Sequence, residues 1–471
     1  MEREKPYFMS IDLSTTACKV LVFNSSGIPV AESHQDMPLF YPRPTWIEAD
    51  ANDWWNITVK CIREVLDKIP SSQIASIGVC GLMHALVPVD RSGNPLDRVM
   101  LWMDQRCKPQ CEWIKEKTAD RLIPTYLSAP KLKWLVENKP DVVVNTYKFM
   151  FGKDFIRLKL TGEFATDESD AGGSALFDSK RKCWSDEMLN LIGIPIDKML
   201  PIRNSTDVAG YVTESSAKET GLKKGTPVVI GASDVRSTLI GVNIYAPKRV
   251  CLYMGTAAWV AISDEKGSVN WGGATATFGV GLRWCNELFD NSMTYSQMVE
   301  LAGNASPGSD GLIFFPHLMG ERWPKFNSYA KGTIFGLTLS HRKKHIIRAI
   351  LEGNAYLIRQ IIENYGIHRV ENITATGGCA KSKLWLQIIA DVTGKTISVP
   401  RVTEATALGS AILSAIGIRF FDSLDNAIKE WVYIQDFCFP NNNVKEIYDK
   451  AYRLYCRIDN ALEEFYPETV N

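Results

Sequence analysis

Hydrophobic positions fall into short apolar runs separated by longer stretches at helical spacing, which is the alternation of an α/β protein. Residues 7–13 (YFMSIDL) and 19–24 (KVLVFN) read as strands flanking a small polar turn, Ser14-Thr15-Thr16, and residues 28–34 (IPVAESH) as a third strand. Over residues 50–69 the period changes. Trp55, Val59, Ile62, Leu66 and Ile69 recur at helical spacing, with Asp50 or Asn52 as the cap. Residues 74–82 (IASIGVCGL) form an apolar run short enough for a buried strand, ending at Met83-His84.

The same order restarts in the second half. RVCLYM (249–254) enters the turn Gly255-Thr256-Ala257 and WVAIS (259–263) leaves it. A long helix is expected over 341–365, then a strand (NITAT, 372–376), a glycine pair and another helix. The echo suggests two domains of one design. Hairpins with glycine or threonine turns are also common enough to echo by chance, and this pattern alone leaves both readings open. The polar, proline-containing stretch GVNIYAPKR places a boundary near 240–248, giving expected domains 1–244 and 245–471. A chain of 471 residues exceeds what one core usually supports, which also argues for two domains.

Net charge is zero, with 53 basic and 53 acidic side chains and no basic block, so a nucleic-acid partner is not expected. A neutral or an anionic small substrate fits equally. No apolar run has bilayer length and the charged start lacks a signal-peptide core, so no membrane partner is expected and the cytoplasm is the expected location. Eleven cysteines without a C-x-x-C pair and six scattered histidines read as free thiols rather than a zinc site.

Four clusters hold candidate chemistry. In the first, small residues at Ser14-Thr15-Thr16 let backbone amides approach an anion, Lys19 adds a point charge, and Asp12 is placed to hold water on Mg²⁺. A plain solvated turn reads the same residues as bonding their own backbone. In the second, Thr376-Gly377-Gly378-Cys379-Ala380-Lys381-Ser382 joins a strand to a helix, where bare backbone and a helix N-terminus favour phosphate. Its glycine spacing is neither the dinucleotide fingerprint nor a Walker A loop. The third is Asp234, after an apolar strand and a Gly-Ala-Ser turn, suited to take a proton from an attacking hydroxyl; a helix cap at Val235 is the alternative. The fourth joins Met83-His84 to Trp102, Asp104, Gln105 and Arg106, the mixture of flat apolar surface and polar groups that sugars require. An ordinary surface pair at Asp104 and Arg106 is the alternative.

Two longer stretches join these clusters. Residues 126–138 (YLSAPKLKWLVEN) resemble the N-terminal signature of the FGGY family of carbohydrate kinases. Gly332-Thr333-Ile334-Phe335-Gly336-Leu337, continuing through His345-Ile346 to Ala349-Ile350-Leu351-Glu352, resembles its C-terminal signature. The likeness runs from Tyr7 to Phe465.

That resemblance implies an α/β fold of two actin-like (ribonuclease-H-like) ATPase domains with the active site in a cleft between them. It implies ATP and Mg²⁺, a small sugar or sugar-acid substrate, and a homodimer as the assembly to expect. Ser14, Thr15, Thr16 and Lys19 would form the first phosphate loop and Gly255-Thr256 the second. Gly336, Gly377, Gly378 and Ser382 would lie along the nucleotide. Asp234 corresponds to the catalytic base and, with Asp12, to the metal site. Met83-His84 corresponds to the dipeptide that contacts substrate in xylulokinases, with Trp102, Asp104, Arg106 and Arg236 completing the set. Glycerol kinases carry Arg-Glu at that dipeptide.

Departures are Ser14 and Cys379 for usual glycines, Ala257 for a frequent serine, and Val235-Arg236 where xylulokinases carry asparagine after the aspartate. Arg236 would suit a sugar acid. Xylulokinase is thus the first expectation, gluconokinase or another pentulose or polyol kinase the second, and a chaperone-like ATPase without sugar kinase activity the rival of another class.

Overall fold

Each half of the strand pattern is the spine of a six-stranded mixed sheet in this computed structural model, which describes residues 6–118, 123–327, 329–366, 370 and 372–469. The first sheet comprises β1 (Tyr7–Leu13), β2 (Ala17–Phe23), β3 (Pro29–Asp36), β4 (Ile74–Gly81), β5 (Val208–Tyr211) and β6 (Pro227–Val229). Its order is β5-β6-β4-β1-β2-β3: an antiparallel meander β1–β3, then β4 and β6 added in parallel, and β5 antiparallel at the edge. The second comprises β7 (Arg249–Met254), β8 (Ala258–Ser263), β9 (Val269–Ala274), β10 (Asn372–Thr376), β11 (Thr396–Pro400) and β12 (Ile434–Cys438). Its order, β9-β8-β7-β10-β11-β12, repeats the meander and the parallel fourth strand, but the last two strands are exchanged. The inner position is taken by the sixth strand, β6, in the first sheet and by the fifth, β11, in the second. The echo between the halves is therefore one strand arrangement, shared through its first four strands and reached by a different chain order at the far edge.

Burial follows strand position. β1 and β4 are buried on both faces along almost their whole length, as parallel-paired strands covered by helices are. β3 sits at the edge and alternates between buried and exposed residues. The helix Ala51–Leu66 turns Trp54, Trp55, Cys61, Ile62 and Val65 into the first core, and Asp50 caps it by accepting the Asn52 N–H at 2.8 Å.

The chain divides into two units: Met1–Gly241 with Thr406–Trp431, and Val242–Ala405 with Val432–Asn471. The single boundary expected at 244 thus leaves out a return of the chain. In the helix Ala405–Gly417, Gly409 lies so close to the helix Asp234–Gly241 that a Cβ would fall 1.8 Å from the Ser237 carbonyl. A Cβ on Gly78 would fall 2.2 Å from the Ser410 carbonyl. Thr406 completes the contact, sharing a 2.7 Å hydrogen bond with the Thr238 hydroxyl and accepting the Cys80 thiol on its carbonyl. Small residues on both sides make this approach possible, and close packing of bare backbone is invisible to hydrophobic periodicity.

In the second unit the helix Lys343–Asn364 is buried along most of its length, and Lys383–Thr393 is capped by Ser382 and ended by Gly394 in the left-handed region. All eleven cysteines are free thiols, six buried and five half-buried. Among the described residues no helix is long and apolar enough to cross a membrane.

Candidate active site

Asp234 is delivered by a turn that leaves its backbone little freedom. Gly231 has φ +77°, and a Cβ there would lie 1.9 Å from the Val79 carbonyl of β4, so only glycine fits. Ala232 then bridges to Cys80, and the helix begins. The cap bond is made by Ser233, whose hydroxyl accepts the Arg236 N–H at 3.2 Å. Asp234 makes no such bond further into the helix: its Oδ1 accepts the adjacent Val235 N–H, at 2.9 Å. Burial pushes its carboxyl up to about 6, against the pull of that amide.

Asp12 is the penultimate residue of β1, with 8% of its surface exposed, opposite Lys19 of β2 on one side and Cys80 of β4 on the other. The Cys80 thiol is pushed well up by its burial and then by the negative charges of Asp12 and Asp234. Both carboxylates therefore act on one point of the sheet. Among the described residues no three His, Cys, Asp or Glu side chains converge as a metal cage. Mg²⁺ held mainly through phosphate oxygens and water needs only one or two carboxylates, and Asp12 and Asp234 fit that pattern.

The turn after β1 closes on itself. The Ser14 amide and hydroxyl both donate to the Ala17 carbonyl, at 2.9 and 2.8 Å, and the hydroxyl accepts the Ala17 N–H at 3.2 Å. Serine thus replaces the usual glycine without a positive φ. Thr16 accepts the Met37 N–H on its carbonyl, and the Thr15 hydroxyl accepts the Trp102 indole N–H at 2.9 Å. That bond joins the hairpin expected at the phosphates to the cluster expected at the sugar.

Met83-His84 follows β4. His84 has φ +68°, a conformation that costs a non-glycine residue about 1 kcal/mol. Its carbonyl is held there by the Lys131 ammonium at 3.2 Å and the Ser128 hydroxyl at 3.4 Å. Lys131 also donates to the Tyr126 carbonyl at 3.1 Å, and burial pushes its own pKa down to about 8. On the other side a Cβ at Gly173 would meet the Met83 methyl at 2.2 Å and the His84 ring at 3.2 Å. Lys131, Ser128 and Gly173 were not singled out individually in the sequence. The visible signal for Lys131 was a charged residue within the apolar turn Ala129–Leu132.

One expectation is corrected. Asp104 and Arg106 were expected at the substrate, but their side chains are 0% and 1% exposed. Asp104 accepts the Ile47 N–H at 2.7 Å and grips the Arg106 guanidinium at 2.7–3.0 Å. Arg106 also pairs with Glu48 at 2.8 Å and stacks 3.7 Å from the Trp46 ring centroid, so the pair organises the core beneath the site. Arg236 was expected to meet a substrate carboxylate. It lines a cavity of about 620 Å³ together with Arg203, Asp207, Ile240, Leu413 and Ile416, and that lining includes neither Asp234 nor Met83-His84.

In the second unit, bare backbone dominates. Gly377 has φ +93°, donates to the Thr403 carbonyl at 3.2 Å, and would place a Cβ 2.7 Å from the Met254 carbonyl. Gly378 has nothing within 4 Å of its Cβ position, so the protein itself does not require glycine there; a closely approaching ligand would. Gly255 abuts the Tyr253 ring, its carbonyl accepts the Gly279 N–H at 3.0 Å, and Thr256 beside it is exposed. The Ser382 hydroxyl, expected on the nucleotide, accepts the Trp385 N–H as helix cap. Gly336 has φ +92° against the Gly311 carbonyl, a reason for glycine within the fold itself.

A protected carboxylate above a hydroxyl-rich hairpin in one unit, and glycine loops open to a ligand in the other, are the parts of a phosphoryl-transfer enzyme. The chain belongs to the FGGY family of carbohydrate kinases: residues 7–241 match the family's N-terminal domain and 253–418 its C-terminal domain. Its fold is the two-domain, actin-like ATPase fold of that family, whose phosphoryl donor is ATP. The xylulose kinase of Bacillus subtilis (strain 168) is 29% identical over 480 residues, 96% of either chain. The gluconokinase of Bacillus licheniformis is 28% identical over 502 residues, 99% of this chain and 98% of its own. Ligand-bound xylulose kinase from Lactobacillus acidophilus superposes with a TM-score of 0.87 at 25% identity, over 99% of this chain and all of the other.

Proposed function

We propose that this sugar kinase transfers the γ-phosphoryl group of ATP to D-xylulose, giving xylulose 5-phosphate and ADP. The observation that carries the choice is the Met83-His84 turn, locked by Lys131, Ser128 and Gly173 into a conformation that His84 would not adopt unaided. Xylulose kinases among the relatives support it.

In this reading the sugar lies against Met83, His84 and Trp102. Asp234 accepts the proton as the hydroxyl oxygen bonds to the γ-phosphorus, and the bond to the ADP oxygen breaks, leaving its electron pair on ADP. A carboxyl raised to about 6 is still mostly ionised at neutral pH and is a stronger base than an ordinary carboxylate. Thr15, Thr16, Lys19, Gly255 and Thr256 balance the phosphate charge with hydroxyls, amides and one ammonium. Gly378 admits the nucleotide to the backbone, beside Gly377, which the fold itself requires. When bound, Mg²⁺ would neutralise phosphate charge, with Asp12 orienting its water shell and Asp234 beside it.

D-Gluconate is the second reading, favoured by gluconokinase relatives that match nearly the whole chain.

The test is ADP release with Mg·ATP across D-xylulose, L-xylulose, D-ribulose, L-ribulose, D-gluconate and glycerol. Stimulation by D-xylulose above all others is the expected result. A preference for gluconate replaces the substrate, and rapid ADP release without any sugar overturns sugar-dependent turnover.

A further inference from the structure

The interior of the first unit holds five charged side chains that the chemistry above does not use. Lys153, Asp154, Arg157 and Asp167 are 0% exposed and Asp170 is 1%. The Lys153 ammonium lies 2.6 Å from Asp154, 3.2 Å from Asp167 and 3.1 Å from Asp170, and Arg157 lies 2.7 Å from Asp154. Burying such a group is costly, and well-packed apolar residues usually give equal or better stability, so stability alone does not explain it. Its outgoing hydrogen bonds are informative. Arg157 donates to the Ile230 carbonyl at 2.9 Å. Asp167 accepts the Ser169 hydroxyl at 2.6 Å, and that same oxygen accepts the Ser233 N–H at 2.9 Å. The two bonds grip the first and last residues of the stretch Ile230–Ser233, and Asp234 is next.

We propose that this buried ion cluster positions Asp234: Arg157 fixes the entry to its turn, and Ser169, oriented by Asp167, fixes the exit. The inference rests on the reading of Asp234 as the base. The charges are suited to stay in place. The Lys153 ammonium holds Asp167 ionised in spite of its burial, while burial and the neighbouring Asp167 and Asp154 push the Asp170 carboxyl well up. The cations and carboxylates face one another at salt-bridge distance, and none moves without uncovering an unpaired buried charge. Asp167 is also anchored by the Ser205 hydroxyl at 3.0 Å, which leaves Ser169 one strong acceptor and one orientation. Ser169 is thus a positioning residue, acting through the backbone of Ser233.

Ser169→Ala removes one hydroxyl and leaves the ion cluster intact, so the variant is expected to fold. Turnover should fall about tenfold, with KM for D-xylulose (or the sugar found active) and for ATP unchanged within about twofold and the melting temperature shifted by only about 1–2 °C. Ser169→Thr, which keeps the hydroxyl, should restore most of the rate. Asp234→Asn is measured alongside. If it retains turnover, the base reading falls and the positioning inference with it. If Asp234→Asn is slow while Ser169→Ala matches the parent, positioning alone is overturned. A loss of rate that tracks a loss of stability, with no rescue by threonine, overturns it in favour of a purely structural cluster.

Discussion

The hairpins β1–β2 and β7–β8 occupy the same place in two sheets whose first four strands are arranged alike, yet they are built from different chemistry. At the second residue pair back from the turn, the first hairpin sets Asp12 opposite Lys19; the second sets Tyr253 opposite Trp259. Those two rings stack at 5.3 Å with 10° between their planes, and Trp271 of β9 extends the stack at 5.7 Å. The turns close differently too. Ser14 closes the first with its own side chain, whereas Gly255 closes the second by having none, because a Cβ would sit 2.6 Å from the Tyr253 ring. In the proposed reading one scaffold serves two ways of meeting a polyanion: side-chain charges and hydroxyls in the first unit, exposed backbone beside an aromatic ladder in the second.

If the first unit holds the reacting groups, the largest effect belongs there. Asp234→Asn should lower kcat by about a hundredfold or more. The same change should raise thermal stability at pH 7–8. A carboxyl whose folded-state pKa is raised to about 6 contributes stability below its unfolded pKa of about 4 and loses it as pH climbs through 6, so at neutral pH the ionised group is a cost that asparagine removes. In the parent enzyme kcat/KM should fall as pH drops through about 6, and a profile flat to pH 5 removes Asp234 from the base role.

Asp12→Asn comes next, with an expected loss of about 10- to 100-fold in activity and a higher Mg²⁺ requirement, checked by titrating Mg²⁺ at fixed ATP. The second unit is tested by two adjacent glycines. Gly378→Ala should leave the melting temperature unchanged, because its Cβ position is open, but raise KM for ATP about tenfold. Gly377→Ala should instead cost about 2 kcal/mol of stability in denaturant unfolding, from positive φ and the Met254 carbonyl. Equal behaviour of the two would break the idea that one serves the ligand and the other the fold. The smallest effect belongs to the aromatic ladder: Trp259→Leu should cost about 1 kcal/mol and leave kcat unchanged.

Much of this was legible from the chain alone. The strands Tyr7–Leu13, Arg249–Met254 and Asn372–Thr376 begin and end where the apolar runs do, and Asp50 is the cap its position suggests. Those features depend on neighbours a few residues apart, and long signatures fixed the family in the same way. What the linear order did not reveal is where charged groups end up. Arg106 and Asp104 looked like a surface pair or a sugar contact until Trp46, Glu48 and Trp134 were folded around them. Arg236 sits two residues from Asp234 in sequence, yet it lines a cavity that Asp234 does not, because successive positions on a helix face different directions. Ser169 meets the Ser233 backbone, and Gly409 the Ser237 backbone, only because distant segments pack together. Local propensity and turn chemistry are written in neighbouring residues, so the sequence by itself determined the elements and the reaction class. Burial and polar partnership are set by residues brought together from afar, so only the tertiary structure decided which charges hold the core and which face a ligand.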